Sequence, residues 1–191
     1  MTRRSRVGTA VISVAIVALA GCGISEKPAA KSGTTTTSSA SWHRPAVPPD
    51  PQTLLRAGAV AVAAVPSSTL IFITTEQGGT WKVLAATPDG TEQAMDVSSD
   101  GVTVMVGPTP KNESDADKAK DRARVQAARL DYRAAVDKML AMVPNGSITE
   151  LNLGDSNDTT VWQADVWDSY IVEHKVTINA ASGELVANTQ V

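Results

Sequence analysis

The chain has 191 residues, 42% of them hydrophobic and 19% charged, with a formal charge of −3. That balance fits a globular protein and lacks the basic excess that nucleic-acid binding draws on. One cysteine excludes an intramolecular disulfide, and two histidines far apart in the chain argue against a zinc site.

Residues 1–21 read as an export signal. Arg3, Arg4 and Arg6 form a positive start, and the apolar run Val7–Ala18 follows, diluted only by Gly8, Thr9 and Ser13. The run is shorter than the roughly 20 residues a membrane-spanning helix needs. The apolar residues that a twin-arginine signal places after its pair are missing, so general secretion is the expected route. Leu19-Ala20-Gly21-Cys22 resembles a bacterial lipobox. In lipoproteins of that kind the cysteine sulfur receives a diacylglycerol and the chain is cut just before it. The resemblance implies lipid on Cys22, palmitate included, and a place on the extracytoplasmic face of the cell membrane. Two or three acyl chains, at about 0.8 kcal/mol per buried CH₂, hold such an anchor durably.

Residues 22–49 carry Gly, Ser, Thr, Pro and Lys with few large apolar side chains. Such a segment cannot build a core and reads as a disordered tether. As a flexible coil it spans ~30 Å.

Beyond the tether an internal repeat emerges, with units 50–108 and 109–191. Val65-Pro66 aligns with Val143-Pro144, and Leu54, Ala57, Ala61, Val62 and Val65 align with Tyr132, Ala135, Met139, Leu140 and Val143. The shared spacing i, i+3, i+7, i+8, i+11 puts each set on one face of a helix that proline ends. Asp50 before Pro51 marks one helix start, and Ser114 with Asp117 marks the other. The second helix reads as one long element whose first half, 115–124, is charged and solvated. Strands follow in each unit, with Trp81 aligned to Trp162 and Gly101 to Gly183. Pro88-Asp89-Gly90, Asp100-Gly101 and Ser182-Gly183 are hairpin turns by their chemistry. From Tyr170 to Asn179 the alternation predicts one strand, with Tyr170, Val172, His174, Val176 and Ile178 inward. "TLIFI" (69–73) does not alternate, which predicts burial on both faces where the units meet. The expected class is α+β: two repeats, each one helix packed on a three- or four-stranded antiparallel sheet.

The last strand is entered through "INAASGELV" (178–186). Asn179, Ala180, Ser182, Gly183, Glu184, Leu185 and Val186 resemble the closing motif of the PepSY domain, and the first unit keeps only the glycine. The resemblance implies a membrane-attached protein that binds or restrains an envelope partner, a peptidase among the candidates. The family has no catalytic residues to transfer.

No Ser-His-Asp grouping, phosphate loop or GxSxG occurs in the sequence. His174 points inward by strand phase, and Gln93 aligns with it, so a structural hydrogen bond is the expected role. Asp155 and Asp158 read as a solvated turn, because the glycine and distal glutamate of a calcium loop are missing. Asp165, Asp168 and Glu173 are placed near one another on the outer face. Trp81, Trp162, Trp167 and His174 are the candidate binding or interface residues, with Trp167 out of phase with its strand. The expectation is a non-catalytic lipoprotein, without cofactor or metal, that binds an unidentified envelope protein. The alternative is a carrier of a lipid or small molecule in a cavity between helix and sheet.

Overall fold

The computed structural model of the chain describes residues 48–191, so Cys22 and the tether up to residue 47 lie outside the described residues. Helix α1 (Pro51–Ala64) is followed by strands β1 (Thr69–Thr75), β2 (Trp81–Ala86), β3 (Glu92–Val97) and β4 (Val104–Pro110). Helices α2 (Asp115–Ala127) and α3 (Tyr132–Met142) come next. Strands β5 (Ser147–Ser156), β6 (Thr159–Trp167), β7 (Glu173–Asn179) and β8 (Leu185–Gln190) complete the chain. All eight strands form one antiparallel sheet in the order β4-β3-β2-β1-β5-β6-β7-β8.

The helix starts follow local chemistry. Asp50 caps α1 through a bond from Gln52 N at 3.1 Å, with proline at the first helical position. Ser114 caps α2 by accepting from Asp117 N at 3.2 Å, and Asp131 caps α3 by accepting from Ala134 N at 2.9 Å. The expectation of one long second helix is therefore corrected: it breaks between Ala127 and Tyr132. Arg129 N and Leu130 N both donate to Ala180 O at 3.0 Å, holding this stretch out of the helix. Asp131 then satisfies the N–H groups freed by the restart.

Helices α1 and α3 share one face of the sheet. Their apolar stripes, Leu54, Ala57 and Ala61 on one and Tyr132, Ala135 and Met139 on the other, enter a single buried cluster. The Tyr132 ring packs against Gly58, where an added Cβ would lie 2.6 Å from the ring. Alternate residues of the strands, among them Ile73, Val83, Met95, Leu151, Val166 and Val176, complete that core.

Strand β1 sits at the centre, paired with β2 on one side and β5 on the other. A bulge between Leu70 and Phe72 breaks its alternation, so that Leu70, Ile71 and Ile73 are all buried. The apolar run of 69–73 thus lies where the two groups of four strands meet. They meet edge to edge, through Phe72–Thr74 against Glu150–Asn152.

The predicted strand from Tyr170 starts late. Asp168 to Val172 form a turn, Ile171 has φ of 60°, and β7 begins at Glu173. Tyr170 is consequently 84% exposed, while Val176 and Ile178 point into the core as expected.

Candidate functional site

The tryptophans separate by burial. Trp81 and Trp162 are 1% and 0% exposed, so both are core residues and offer no surface to a partner. The Trp162 indole Nε1–H donates to Leu130 O at 3.0 Å, using the carbonyl that the break between α2 and α3 frees. Trp81 Nε1 is buried with no hydrogen-bond partner. Trp167, last residue of β6, is half-buried and pairs in register with Glu173 and Ser147.

His174 lies on the helix-side face near the sheet margin, between Val166 and Gln190 in register. Its Nε2 is 3.3 Å from Asp168 Oδ2 and its Nδ1 3.3 Å from Asn188 Oδ1. Asp168 is held in turn by the backbone: its Oδ1 accepts from Tyr170 N at 2.8 Å and Val172 N at 2.9 Å. These backbone donors, Val172 first, and the His174 ring hold its carboxyl below the usual range. The arrangement ties the β6–β7 turn, β7 and β8 together through one imidazole. It is the polar link expected for an inward histidine at a sheet margin.

Asp165 and Glu173 are neighbours on the opposite face, but Asp168 is turned away from them to His174. Lys175 fills the space between the other two, 2.9 Å from Asp165 and 3.6 Å from Glu173. The lysine is correspondingly raised, chiefly by Asp165. Glu150 stands opposite Asp165 in register, and burial, then Asp165, pushes its carboxyl up. Asp155 forms an ion pair with Arg124 at 2.8 Å, while Asp158 sits in the exposed β5–β6 turn with φ of 59°.

A further cluster gave no sequence signal. Glu92, Glu113 and Asp121 bring carboxylate oxygens within 4.8 Å of one another, where β3, the end of β4 and α2 meet. Lys111 Nζ contacts Glu92 and lies 3.9 Å from Glu113, and Arg124 bonds Asp121 at 3.2 Å. Burial raises Glu92 and Asp121 despite those cations. The set has a cation-binding donor chemistry, but Lys111 already supplies the positive charge that it calls for. Its members lie 21 and 8 residues apart in sequence, beyond the reach of any local motif.

A groove of about 250 Å³ runs between α2 and the ends of β1 and β2, lined by Thr69, Ala86, Thr87, Pro88, Arg122 and Val125 among others. Arg122 donates to Asp89 O at 2.9 Å across its end.

No family profile matches the chain, and no curated protein does. Among solved structures, a Clostridium difficile 630 protein provisionally named a lipoprotein is similar at 15% identity with a TM-score of 0.42. The match covers 70% of this chain and 89% of that one. Among the described residues, no helix is long and apolar enough to cross a membrane.

Proposed function

We propose that this chain is a lipid-anchored lipoprotein on the extracytoplasmic face of the cell membrane, where it binds an envelope protein without catalysis. The observation that carries the reading is the N-terminal order of Arg3, Arg4 and Arg6, an apolar run, and Leu19-Ala20-Gly21-Cys22. The absence of catalysis is supported by how the polar clusters are spent. His174 is held between Asp168 and Asn188, Lys175 between Asp165 and Glu173, and Lys111 between Glu92 and Glu113.

The binding domain, in this reading, is a duplicated PepSY-like unit. Both apolar helices end alike: Val65 has φ −126°, ψ 91° and Val143 has φ −125°, ψ 83°. The residue after each proline is left-handed, Ser67 at φ 64° and Asn145 at φ 60°. Gly101 and Gly183 occupy aligned turns with φ of 76° and 75°, and each abuts the helix of its own unit. The sheet order reads symmetrically outward from the β1–β5 seam. The PepSY resemblance itself rests on Asn179–Val186.

The test is chemical cross-linking of the full chain in its own membranes, followed by affinity capture and mass spectrometry. A stoichiometric protein partner, a peptidase or a sensor among the expected classes, is the predicted result. A retained lipid or metabolite with no protein would overturn it and put the carrier reading first, with the groove beside Arg122 as its site.

A further inference from the structure

Helix α2 is seated differently from the other two helices. Leu54, Ala57 and Ala61 of α1 and Tyr132, Ala135, Val136 and Met139 of α3 are buried, whereas the one buried residue of α2 is Asp121. Asp121 faces two other carboxylates, Glu92 and Glu113, which share Lys111. A seat of that kind gains little from burial. Val125 alone among the α2 side chains packs against the core cluster, from a half-buried position, and Ala116, Ala119, Ala123 and Ala127 are exposed. What holds α2 is polar: Arg122 Nη1 donates to Asp89 O at 2.9 Å, and Arg124 reaches Asp155 at 2.8 Å. The groove of about 250 Å³ lies between the helix and the strands. Both flanks of α2, by contrast, are pinned to the sheet through backbone bonds. Lys111 N donates to Glu92 O at 2.9 Å before it, and Arg129 N and Leu130 N donate to Ala180 O at 3.0 Å after it.

The β2–β3 turn on which α2 rests has a counterpart in the β6–β7 turn. Thr87 N donates to Thr91 O at 3.0 Å and Gly90 N to Thr87 O at 2.8 Å. In the second unit Asp168 N donates to Val172 O at 3.0 Å and Ile171 N to Asp168 O at 3.0 Å. Gly90, with φ of 88°, thus occupies the place of Ile171, with φ of 60°. This turn accepts a side chain at that place. What bars one at residue 90 is the helix above it: an added Cβ would lie 2.0 Å from Lys118 O.

We infer that α2 is a strap that opens while the sheet, α1 and α3 stay folded, with its two pinned flanks as hinges. Buried apolar surface is what makes release of a helix costly, and α2 has little of it. A helix of this length is marginal on its own in water, so release and unravelling coincide. Opening parts Arg122 from Asp89 and Arg124 from Asp155. It also uncovers the side of the groove formed by Thr69, Ala86 and Pro88. The groove is therefore gated by α2, and its full width belongs to the open state.

Native-state hydrogen exchange of the full chain in mild detergent tests this. Amides of α2 should be about a hundredfold or more less protected than those of β1, β5 and α3. Gly90→Ala places a methyl group against Lys118 O and should speed α2 exchange by about tenfold or more, while β1 and β5 keep wild-type protection. Arg122→Ala combined with Arg124→Ala should do the same without altering the turn. Amides of α2 that exchange only with global unfolding, at the rate of β1, would overturn the proposal. So would a Gly90→Ala chain, or an Arg122→Ala/Arg124→Ala chain, whose β1 protection falls as far as that of α2.

Discussion

Trp81 and Trp162 are matched in sequence position and in burial, and differ in one hydrogen bond. Replacing Trp162 by Phe removes ring volume and strands the Leu130 carbonyl, at a cost of about 3 kcal/mol. Trp81→Phe removes the same volume along with a donor that has no partner. It should therefore cost about 1–2 kcal/mol less, read from urea unfolding of both variants. Equal costs would mean that the Trp162 bond contributes nothing net. The sequence offers both indoles only as candidate interface residues and does not show that they are buried. It cannot show which indole finds an acceptor, since Leu130 lies 32 positions from Trp162 in a stretch that reads as helix. The same limit hid the Glu92, Glu113 and Asp121 cluster. His174 was more legible, because strand phase alone aims it at the sheet margin where Asp168 and Asn188 meet it.

At the scale of elements, the closest helix contact turns on Gly58. Alanine there gains about 1 kcal/mol of helix propensity. Its Cβ, however, would press into the Tyr132 ring at 2.6 Å and reach Leu70 Cδ1 at 3.0 Å. Tyr132 is buried, and its hydroxyl reaches the Leu55 carbonyl at 3.4 Å, so the ring has little room to retreat. Overpacking of this kind costs about 1–3 kcal/mol. Gly58→Ala should therefore be destabilising on balance, by up to about 2 kcal/mol in thermal or urea unfolding. A stabilised variant would show that the ring moves freely. Helix periodicity places both apolar stripes correctly, and proline marks both ends. The break before α3 escapes it because tertiary bonds to Ala180 O, together with the Asp131 cap, override local helix preference. The late start of β7 has a similar origin: Asp168 captures two backbone N–H groups and makes a turn of residues whose alternation reads as strand.

At the scale of the molecule, the sequence pattern foretells helical segments followed by strands, while in 69–73 a bulge leaves Thr69 and Phe72 half-buried beside buried Leu70, Ile71 and Ile73. The pattern does not foretell that eight strands form one sheet. The seam consists of Phe72–Thr74 against Glu150–Asn152, a long-range pairing that no local pattern encodes. The proposed function depends on residues 1–22 as much as on this domain, because the binding role proposed for it at the membrane requires an anchor. The most direct measurement is metabolic labelling of cells producing the full chain with a palmitate analogue, beside a Cys22→Ser variant. The account predicts label on the wild-type chain in the membrane fraction and none on the variant. An unlabelled wild-type chain, or label that survives loss of Cys22, would contradict it.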